Sequence, residues 1–277
     1  MSEFVDGRQT PVVDRRALII GAATGAAGLA AGVALGADRA AAASLPDGLE
    51  TVAVPTRVRD HRVAFDGEVR AIYARHWEQT AADVAALREK YATPVFGTVD
   101  PTELVDELAR CIDPADNALG NSSQHVHLQQ ILVGMEADGV DDEDMYLAAM
   151  THDLGKVLLL TDEDPVNVVC TNRPIGEHPP GIGLDNVVFQ WNHDEFIWER
   201  MGDLVPDHVA WLMRYHSIEI GPSRPYMDER DLEYLERWLV PFRRYDFGTK
   251  STHSFDPAAV ERWKPLLRDR LPQSVTI

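Results

Sequence analysis

One stretch decides the fold of this chain: Met150-Thr151-His152-Asp153-Leu154-Gly155-Lys156. Its flanks are apolar, with Tyr146 and Leu147 before it and a Val-Leu-Leu run at 157–159 after it. This pattern predicts that the His-Asp pair is buried. A buried carboxylate without a partner costs several kcal/mol, and a metal cation is the simplest partner for it beside a histidine. We therefore expect a metal site in the interior of the chain.

Other metal-ligand residues lie before and after this stretch. The candidates are His127, His193, His216 and Asp246. With His152 and Asp153 they make four histidines and two aspartates, which is more than one tetrahedral zinc ion needs and enough for two metal ions. Adjacent residues of a helix point about 100° apart. His152 and Asp153 can therefore serve a metal pair beside one helix, with Asp153 as the bridge.

Two lysines follow these ligands at helical spacing. Lys156 comes about one turn after Asp153, and Lys250 comes one turn after Asp246. A lysine beside a buried metal is costly unless it meets an anionic or oxygen-rich ligand, so Lys156 is a candidate substrate contact. The alternative for Lys156 is a side chain that reaches out to solvent. For Asp246 the alternative is an ion pair with a neighbouring arginine.

The bulk composition excludes some classes of function. The formal net charge is −19. This charge argues against a nucleic-acid partner, which needs a basic surface, and against binding to an anionic membrane surface. The two cysteines, Cys111 and Cys170, are too few for a disulfide framework, although one bridge stays possible if the protein is exported.

The N-terminus has the pattern of an export signal. Arg15-Arg16 precedes an Ala- and Gly-rich apolar run over 17–37, and Ala41 and Ala43 form an A-x-A cleavage site. We expect residues 1–43 to be a twin-arginine-type signal peptide, with the Tat export machinery as a partner and a periplasmic or extracellular location. The alternative is an uncleaved membrane anchor, because the run is long enough to span a bilayer.

The rest of the chain has helical periodicity and no alternating strand pattern of useful length. We expect an irregular lead-in over 44–65 and one all-α domain over 66–277, an HD-domain-like helical bundle with a di-metal site in its core. The predicted helices include one from Glu68 to just before Thr93, one over 141–160 and one over 185–201. Another is expected over 228–247, interrupted by Pro241. The Pro- and Gly-rich segment 161–184 predicts a long functional loop.

Together the motifs resemble the myo-inositol oxygenase family, a variant of the HD-domain superfamily with a non-haem di-iron centre. The matching motifs are His127 with Gln130, His152-Asp153-Leu154-Gly155-Lys156, Trp191-Asn192-His193-Asp194-Glu195, His216-Ser217 and Asp246-Phe247-Gly248-Thr249-Lys250. The resemblance extends from about Glu68 to Leu271. A single His-Asp pair would be weak evidence, whereas six ligands in this order are strong evidence.

The resemblance implies a ligand set, a cofactor and a reaction. One iron would bind His127, His152 and Asp246, the other would bind His193 and His216, and Asp153 would bridge a mixed-valent Fe(II)/Fe(III) pair. The implied substrate contacts are Lys156, Ser217 and Lys250, and Asp153 and Lys156 are the implied catalytic residues. The implied reaction is oxidation by O2 with C–C cleavage, which converts myo-inositol to D-glucuronate or acts on a related polyol or alcohol. We expect a monomer.

The chain departs from the family pattern at two places. Arg110 stands where the family has an acidic residue, which would favour an anionic substrate unless Arg110 faces solvent. The loop segment Val168–Asn172 also differs, and both departures bear on the substrate rather than on the metals. The alternative function is an HD-type metal-dependent phosphohydrolase, and a non-catalytic exported binding module is a third hypothesis.

Overall fold

The computed structural model describes residues 50–51, 58–116, 118–169, 171–250 and 254–277. The predicted signal peptide, residues 1–43, lies outside these ranges, as does Cys170. Cys111 is a buried free thiol. Within the described ranges, no helix is both long and apolar enough to cross a bilayer.

The described chain is an all-α bundle, as predicted. Its α-helices are α1 (Val58–Trp77), α2 (Ala81–Lys90), α3 (Pro101–Glu107), α4 (Gln124–Ala137), α5 (Glu143–Thr151), α6 (His193–Met201), α7 (Asp207–Tyr215), α8 (Ile220–Ser223), α9 (Glu229–Tyr234), α10 (Val240–Asp246) and α11 (Ala259–Arg270). Two-residue strands form two antiparallel pairs: β1 (Glu50–Thr51) with β3 (Ser254–Phe255), and β2 (Thr98–Val99) with β4 (Val275–Thr276).

Five helices surround the predicted metal residues. Helix α6 packs against α7 and against a 3-10 helix over Leu154–Leu160, α5 packs against α7, and α4 packs against α5 and α10. Fully buried apolar side chains from each of these elements fill the core; examples are Ile131, Leu147, Leu154, Phe196, Leu212 and Phe242. The ends of several of these helices meet inside this core rather than at the surface.

Two predicted helices differ from the expected bounds. The single helix expected from Glu68 is two helices. The first, α1, begins at Val58, within the segment expected to be irregular, and Thr80 and Asp83 form a capping box that starts α2. The helix expected over 185–201 begins only at His193, where the Asn192 side chain accepts a hydrogen bond from the Asp194 N–H. These caps are local sequence signals that the longer apolar periodicity concealed.

The helix expected over 141–160 ends at the His-Asp pair itself. Helix α5 stops at Thr151, His152 is its C-terminal cap, and the chain continues from Leu154 as a 3-10 helix. This change of winding turns Asp153 out of the helical path, with φ −99° and ψ 4°. The interruption therefore lies at the site, as short 3-10 segments often do.

The segment before Asp246 contains a second irregularity. Residues Leu235–Leu239 form a short π-helix between α9 and α10, and Pro241 lies in the first turn of α10. Proline has no N–H to donate, and the π-helical segment before it accommodates it without ending the helix. The interruption predicted at Pro241 is thus only a local widening of the helical backbone, and α10 continues to Asp246.

Candidate metal centre

The structure brings all six predicted ligands together in the core. His127 lies in α4, His152 and His216 cap the C-terminal ends of α5 and α7, His193 opens α6, Asp246 closes α10, and Asp153 follows His152. Each of the six residues is at most 5% exposed. Side chains that lie far apart in the sequence thus converge on one buried volume.

Asp153 lies between two pairs of histidines. Its Oδ1 is 3.1 Å from His193 Nε2 and 3.5 Å from His216 Nε2. Its Oδ2 is 3.4 Å from His152 Nε2 and 3.8 Å from His127 Nε2. Each carboxylate oxygen therefore faces a different histidine pair, which is the arrangement that a bridging carboxylate needs.

Asp246 belongs with the first histidine pair. Its Oδ1 lies 3.0 Å from His127 Nε2 and 3.9 Å from His152 Nε2. Three overlapping groups have ligand atoms within 4.8 Å of one another: His127-His152-Asp153, His152-His216-Asp246 and Asp153-His193-His216. Because these groups share members, the cluster is larger than a single tetrahedral site.

Backbone carbonyls orient three of the histidine rings. Nδ1 of His152 donates to Ala149 O at 2.9 Å, Nδ1 of His216 donates to Met213 O at 3.3 Å, and Nδ1 of His193 donates to Val168 O. A ring that donates from Nδ1 presents the lone pair of Nε2 as a metal ligand. The Val168 contact also places the 161–184 loop directly against the centre.

Buried polar atoms that lack a hydrogen-bond partner indicate whether these residues could hold a metal. Among the described residues, several buried atoms have no hydrogen-bond partner: Nε2 of His152 and His193, both oxygens of Asp153, Oδ1 of Asp194 and Oδ2 of Asp246. Buried polar atoms are rarely left unpaired, and these atoms face one another. Imidazole and carboxylate donors in this number fit a pair of divalent or trivalent cations.

Without a metal, the candidate ligand residues differ in the direction in which their pKa values are shifted. Burial and the nearby Lys250 lower the pKa of His127 to about 4. Burial also lowers the pKa of His193, but the Asp194 and Asp153 carboxylates outweigh it and raise that pKa to about 9. Lys156 and His152 hold the pKa of Asp153 well below its usual range despite burial. The Asp153 carboxylate is therefore ionised and able to bind a cation.

Lys156 points into the centre and not to solvent, with 5% of its surface exposed. Its Nζ lies 3.1 Å from Asp153 Oδ2 and 3.1 Å from Asp113 Oδ2, and it donates to Gln124 Oε1 at 3.0 Å. Burial opposes the charge, but Asp153 and Asp113 outweigh it and hold the pKa of Lys156 well above its usual value. Lys156 is thus a fixed cation, suited to stabilise negative charge rather than to accept a proton.

Lys250 has a similar arrangement. Its Nζ lies 2.8 Å from Asp116 Oδ2 and 3.9 Å from Asp246 Oδ1. Sequence reasoning did not identify Asp113 and Asp116 as part of the site, although both lie in the segment that leads into α4. The nearest sequence signal is the Asp-Pro pair at 113–114, a pattern that indicates only a break between helices. Each lysine of the centre thus has a carboxylate of its own.

Ser217 takes part in a buried hydrogen-bonded chain. Its Oγ donates to Asp194 Oδ2 at 2.5 Å and accepts from Asn192 Nδ2 at 3.3 Å. Asp194 is fully buried, and its Oδ1 lies 2.9 Å from His193 Nε2. Asp194 belongs to the Trp-Asn-His-Asp-Glu motif but was not predicted as a ligand. The structure places it at the centre beside the predicted six.

Arg110 lies outside the centre. Its side chain is 67% exposed and pairs with Glu107. It lines a surface cavity of about 550 Å³ with residues such as Phe96, Glu103 and Leu160, and none of the six predicted ligands lines that cavity. The solvent-facing alternative is therefore correct for Arg110, and the residue brings no positive charge to the ligands.

Comparisons with known proteins agree with this geometry. A family model described as "Myo-inositol oxygenase" matches residues 66–179 and 164–276. The chain is 30% identical to a probable inositol oxygenase of Oryza sativa subsp. japonica, over 69% of this chain and 73% of the relative. It is 28% identical to inositol oxygenase 2 of Arabidopsis thaliana (69% and 71%) and 27% identical to the inositol oxygenase of Bos taurus (70% and 81%). The chain belongs to the myo-inositol oxygenase family.

Proposed function

We propose that this protein is an inositol oxygenase, an oxidoreductase that uses O2 to cleave a C–C bond of myo-inositol and forms D-glucuronate. One observation carries the proposal: the two oxygens of Asp153 face two separate histidine pairs. Family membership and the similarity to named inositol oxygenases support the same reaction. The overall change balances, since C6H12O6 and O2 give C6H10O7 and one water.

Two iron ions are the proposed cofactor. His127, His152 and Asp246 would hold one ion, His193 and His216 would hold the other, and Asp153 would bridge them. When bound, the pair would supply a Lewis acid for a substrate hydroxyl and the electrons with which O2 is activated. Imidazole and carboxylate ligands with open positions suit iron that must bind both substrate and O2.

The residues around the ligands bind and orient the substrate. The Lys156 ammonium, fixed by Asp113 and Gln124, lies 3.1 Å from the bridging carboxylate. We infer that Lys156 donates to the reacting substrate oxygen and holds it in the deprotonated form. Lys250 and Ser217 would contact further hydroxyls. Buried groups of this kind discriminate strongly, because a substrate that lacks a hydroxyl leaves them unpaired.

Charge balance favours a neutral polyol over an anionic substrate. The positive charges of Lys156 and Lys250 are already matched by Asp113 and Asp116. A phosphate or carboxylate group would therefore find no free cation from these lysines. Arg110, the residue that suggested an anionic substrate, faces solvent.

We further propose that residues 1–43 direct export by the twin-arginine route and that the exported protein is a monomer. Support for export comes from Arg15-Arg16, the uncharged 17–37 run and the Ala41/Ala43 site. This route carries folded proteins, which agrees with a buried metal centre assembled before export. Fractionation of cells that express the full chain, with Arg15-Arg16 replaced by Lys-Lys as the control, tests the location.

The function is tested with the full chain, loaded anaerobically with ferrous iron and partly oxidised. Dissolved O2 is followed after addition of myo-inositol, and glucuronate is identified by mass spectrometry. We expect O2 uptake with equimolar glucuronate, and neither from Asp153→Asn. Two bound irons without O2 uptake would exclude an inositol oxygenase. Release of phosphate from a phosphomonoester instead would favour the phosphohydrolase alternative.

A further inference from the structure

We propose that the side-chain amide of Gln124 binds a second substrate hydroxyl, on a carbon next to the one whose oxygen Lys156 holds. The inference rests on the proposed function and narrows its substrate class to compounds with two neighbouring hydroxyl groups. Gln124 lies outside the sequence motifs of the site, and its contact with Lys156 accounts for only one half of its amide.

Gln124 is the first residue of α4 and lies in the interior, with 1% of its surface exposed. Its backbone N–H donates to Cys111 O at 2.8 Å, which fixes the start of α4 against the segment that follows α3. The Gln124 side chain extends to Lys156, and its Oε1 accepts from Lys156 Nζ at 3.0 Å. The amide therefore lies in the same buried volume as the Lys156 ammonium.

Lys156 determines which way the amide faces. An ammonium group only donates hydrogen bonds, so the Gln124 amide turns its oxygen, and not its nitrogen, toward Lys156. Standard bond lengths put Nε2 about 2.2 Å from Oε1, and hence within about 5 Å of Lys156 Nζ. Nε2 is buried, and within the described parts of the chain no atom accepts a hydrogen bond from it. A buried amide nitrogen without an acceptor is costly, which indicates that a bound molecule supplies one.

The protons of Lys156 are already assigned. The ammonium has three of them and three protein partners: Asp153, Asp113 and Gln124. Under the proposed function the metals take the Asp153 oxygens, which would free one proton for the reacting substrate oxygen. Asp113 and Gln124 keep the other two. Lys156 can thus hold one substrate oxygen, and a second oxygen beside it needs another donor, which Gln124 Nε2 supplies.

The surroundings of Nε2 favour a neutral hydroxyl as its acceptor. The carboxylates of Asp113 and Asp153 each lie 3.1 Å from Lys156 Nζ, so a further anionic group close to this lysine would be repelled. Two donors no more than about 5 Å apart can each bind one of two oxygens on adjacent carbons, at ordinary hydrogen-bond lengths. The pair of donors therefore fits a vicinal diol, which a polyol such as myo-inositol provides.

The competing role for Gln124 is only to position Lys156, and two substitutions separate the roles. Gln124→Glu keeps an oxygen for Lys156 but has no N–H to donate, whereas Gln124→Met removes both. Gln129→Met is the matched control. It also replaces a buried glutamine of α4, but Gln129 Nε2 already has a partner, His125 Nδ1 at 2.8 Å. Gln129 lies about 140° around the helix from Gln124.

The measurement is the affinity for myo-inositol and for monodeoxy-inositols, each with one hydroxyl replaced by hydrogen. Anaerobic calorimetric titration of the iron-loaded full chain gives each dissociation constant without turnover, while metal analysis and thermal melts report loading and folding. We expect wild type to bind the analogue that lacks the Gln124-bound hydroxyl about 10–100-fold more weakly than myo-inositol, since a buried donor loses its partner.

That preference should fall to within about threefold in Gln124→Glu and Gln124→Met, because neither variant has the donor. Preferences at the other hydroxyls should persist, and Gln129→Met should have every wild-type preference. In Lys156→Met the preference that falls should be at the neighbouring hydroxyl of the ring. A preference that falls instead at a hydroxyl farther around the ring would overturn the assignment to a vicinal diol.

Other outcomes would also overturn the inference. Unchanged preferences in both Gln124 variants would do so and leave the proposed function intact. So would wild-type preferences in Gln124→Glu together with an equal loss of affinity for all compounds in Gln124→Met, which is the pattern of a residue that only positions Lys156. No binding of myo-inositol by iron-loaded wild type would overturn the proposed function, and the inference with it.

Two results do not depend on the variants. Wild type that binds every analogue within about threefold of myo-inositol would overturn the inference, because no buried donor then discriminates. If neither Gln124 variant folds, a crystal structure of iron-loaded wild type with myo-inositol decides. A distance of about 2.7–3.2 Å from Nε2 to a substrate oxygen supports the contact, and one above about 3.5 Å excludes it.

Discussion

Gly155 and His193 meet backbone to backbone. A Cβ atom on Gly155 would lie 2.1 Å from the carbonyl oxygen of His193, closer than any real contact. Only glycine therefore allows the turn after Asp153 to approach the first residue of α6. This approach is what lets Asp153 face His193 at 3.1 Å. The glycine of the His-Asp-Leu-Gly-Lys motif is thus required for the geometry of the candidate metal centre and not only for the turn.

Replacing this glycine should separate the two halves of the centre. In Gly155→Ala we expect a loss of about 1–3 kcal/mol in the free energy of unfolding, typical of an overpacked core, and loss of the second metal ion. Thermal melts and metal analysis of the purified protein check both effects. Gly221→Ala is the matched control, because a Cβ there has no atom within 4 Å. Equal metal content in both variants would contradict the role given to Gly155.

The sequence predicted the six members of the buried His/Asp cluster better than the residues that surround them. His152 and Asp153 could be recognised because a carboxylate in an apolar stretch is costly to bury unless it binds a cation. Three other acidic residues of the site could not be recognised in the sequence: Asp113, Asp116 and Asp194. A single acidic residue near a loop or at the start of a helix is usually exposed to solvent or caps the helix. Their importance comes from contacts with Lys156, Lys250 and His193 that only the fold creates.

The fold class could be predicted from the sequence, whereas the positions of the helix ends could not. Apolar periodicity identifies a helix but does not show where tertiary contacts interrupt it. The break at His152 is an example: the winding changes because the Leu154–Leu160 segment packs against α6. The late start of α6 depends on the Asn192 cap. Both interruptions coincide with metal-site residues, where local rules are most often broken.

Arg110 should have little influence on the reaction, despite its place in the family pattern. Its exposed side chain pairs with Glu107 and has no contact with the ligands in the structure. We therefore expect Arg110→Asp, which restores an acidic residue, to leave KM for myo-inositol within about twofold, because surface substitutions have small effects. Steady-state O2 uptake measures this. A KM change of tenfold or more would mean that Arg110 reaches the substrate.

The carboxylate partner of Lys250 should help to exclude anionic substrates. Asp116→Asn leaves the Lys250 ammonium without its 2.8 Å partner. We expect inositol monophosphate to bind this variant about tenfold more tightly than wild type, since a hydrogen bond to a charged group contributes about 1.5–3 kcal/mol. Competition against myo-inositol in the O2 assay gives the affinity. Asp164→Asn, an exposed carboxylate that pairs with Arg75, is the control and should change nothing.

Lys156 should contribute to turnover more than to metal binding. In Lys156→Met we expect kcat to fall about 10²–10³-fold, as when one donor to a developing oxyanion is lost. Both irons should remain, because Lys156 contacts the bridging carboxylate but is not a ligand. Lys90→Met, which removes a half-exposed lysine paired with Glu163, should keep full activity. Unchanged kcat in Lys156→Met would exclude the role in holding the substrate oxygen deprotonated.

Loading of the metals should release protons in a pH-dependent way. The pKa of His193 is raised to about 9 in the metal-free protein, since Asp194 and Asp153 outweigh the effect of burial. The ring is therefore protonated at pH 7 to 8, and a metal must displace that proton before Nε2 can bind it. Metal affinity should accordingly weaken about tenfold for each pH unit below 9. Above pH 9 the His193 ring is already neutral, so a further rise in pH should no longer strengthen binding through this residue.

The released protons can be counted directly. Calorimetric titration with Mn(II) in two buffers of different ionisation enthalpy gives the number of protons released at each pH. We expect about one proton from His193 at pH 7.5, and this contribution should disappear as the pH rises through 9. His193→Gln should lack that step and bind one ion fewer. A proton count that stays constant between pH 7 and pH 10 would mean that His193 is already neutral before the metal arrives.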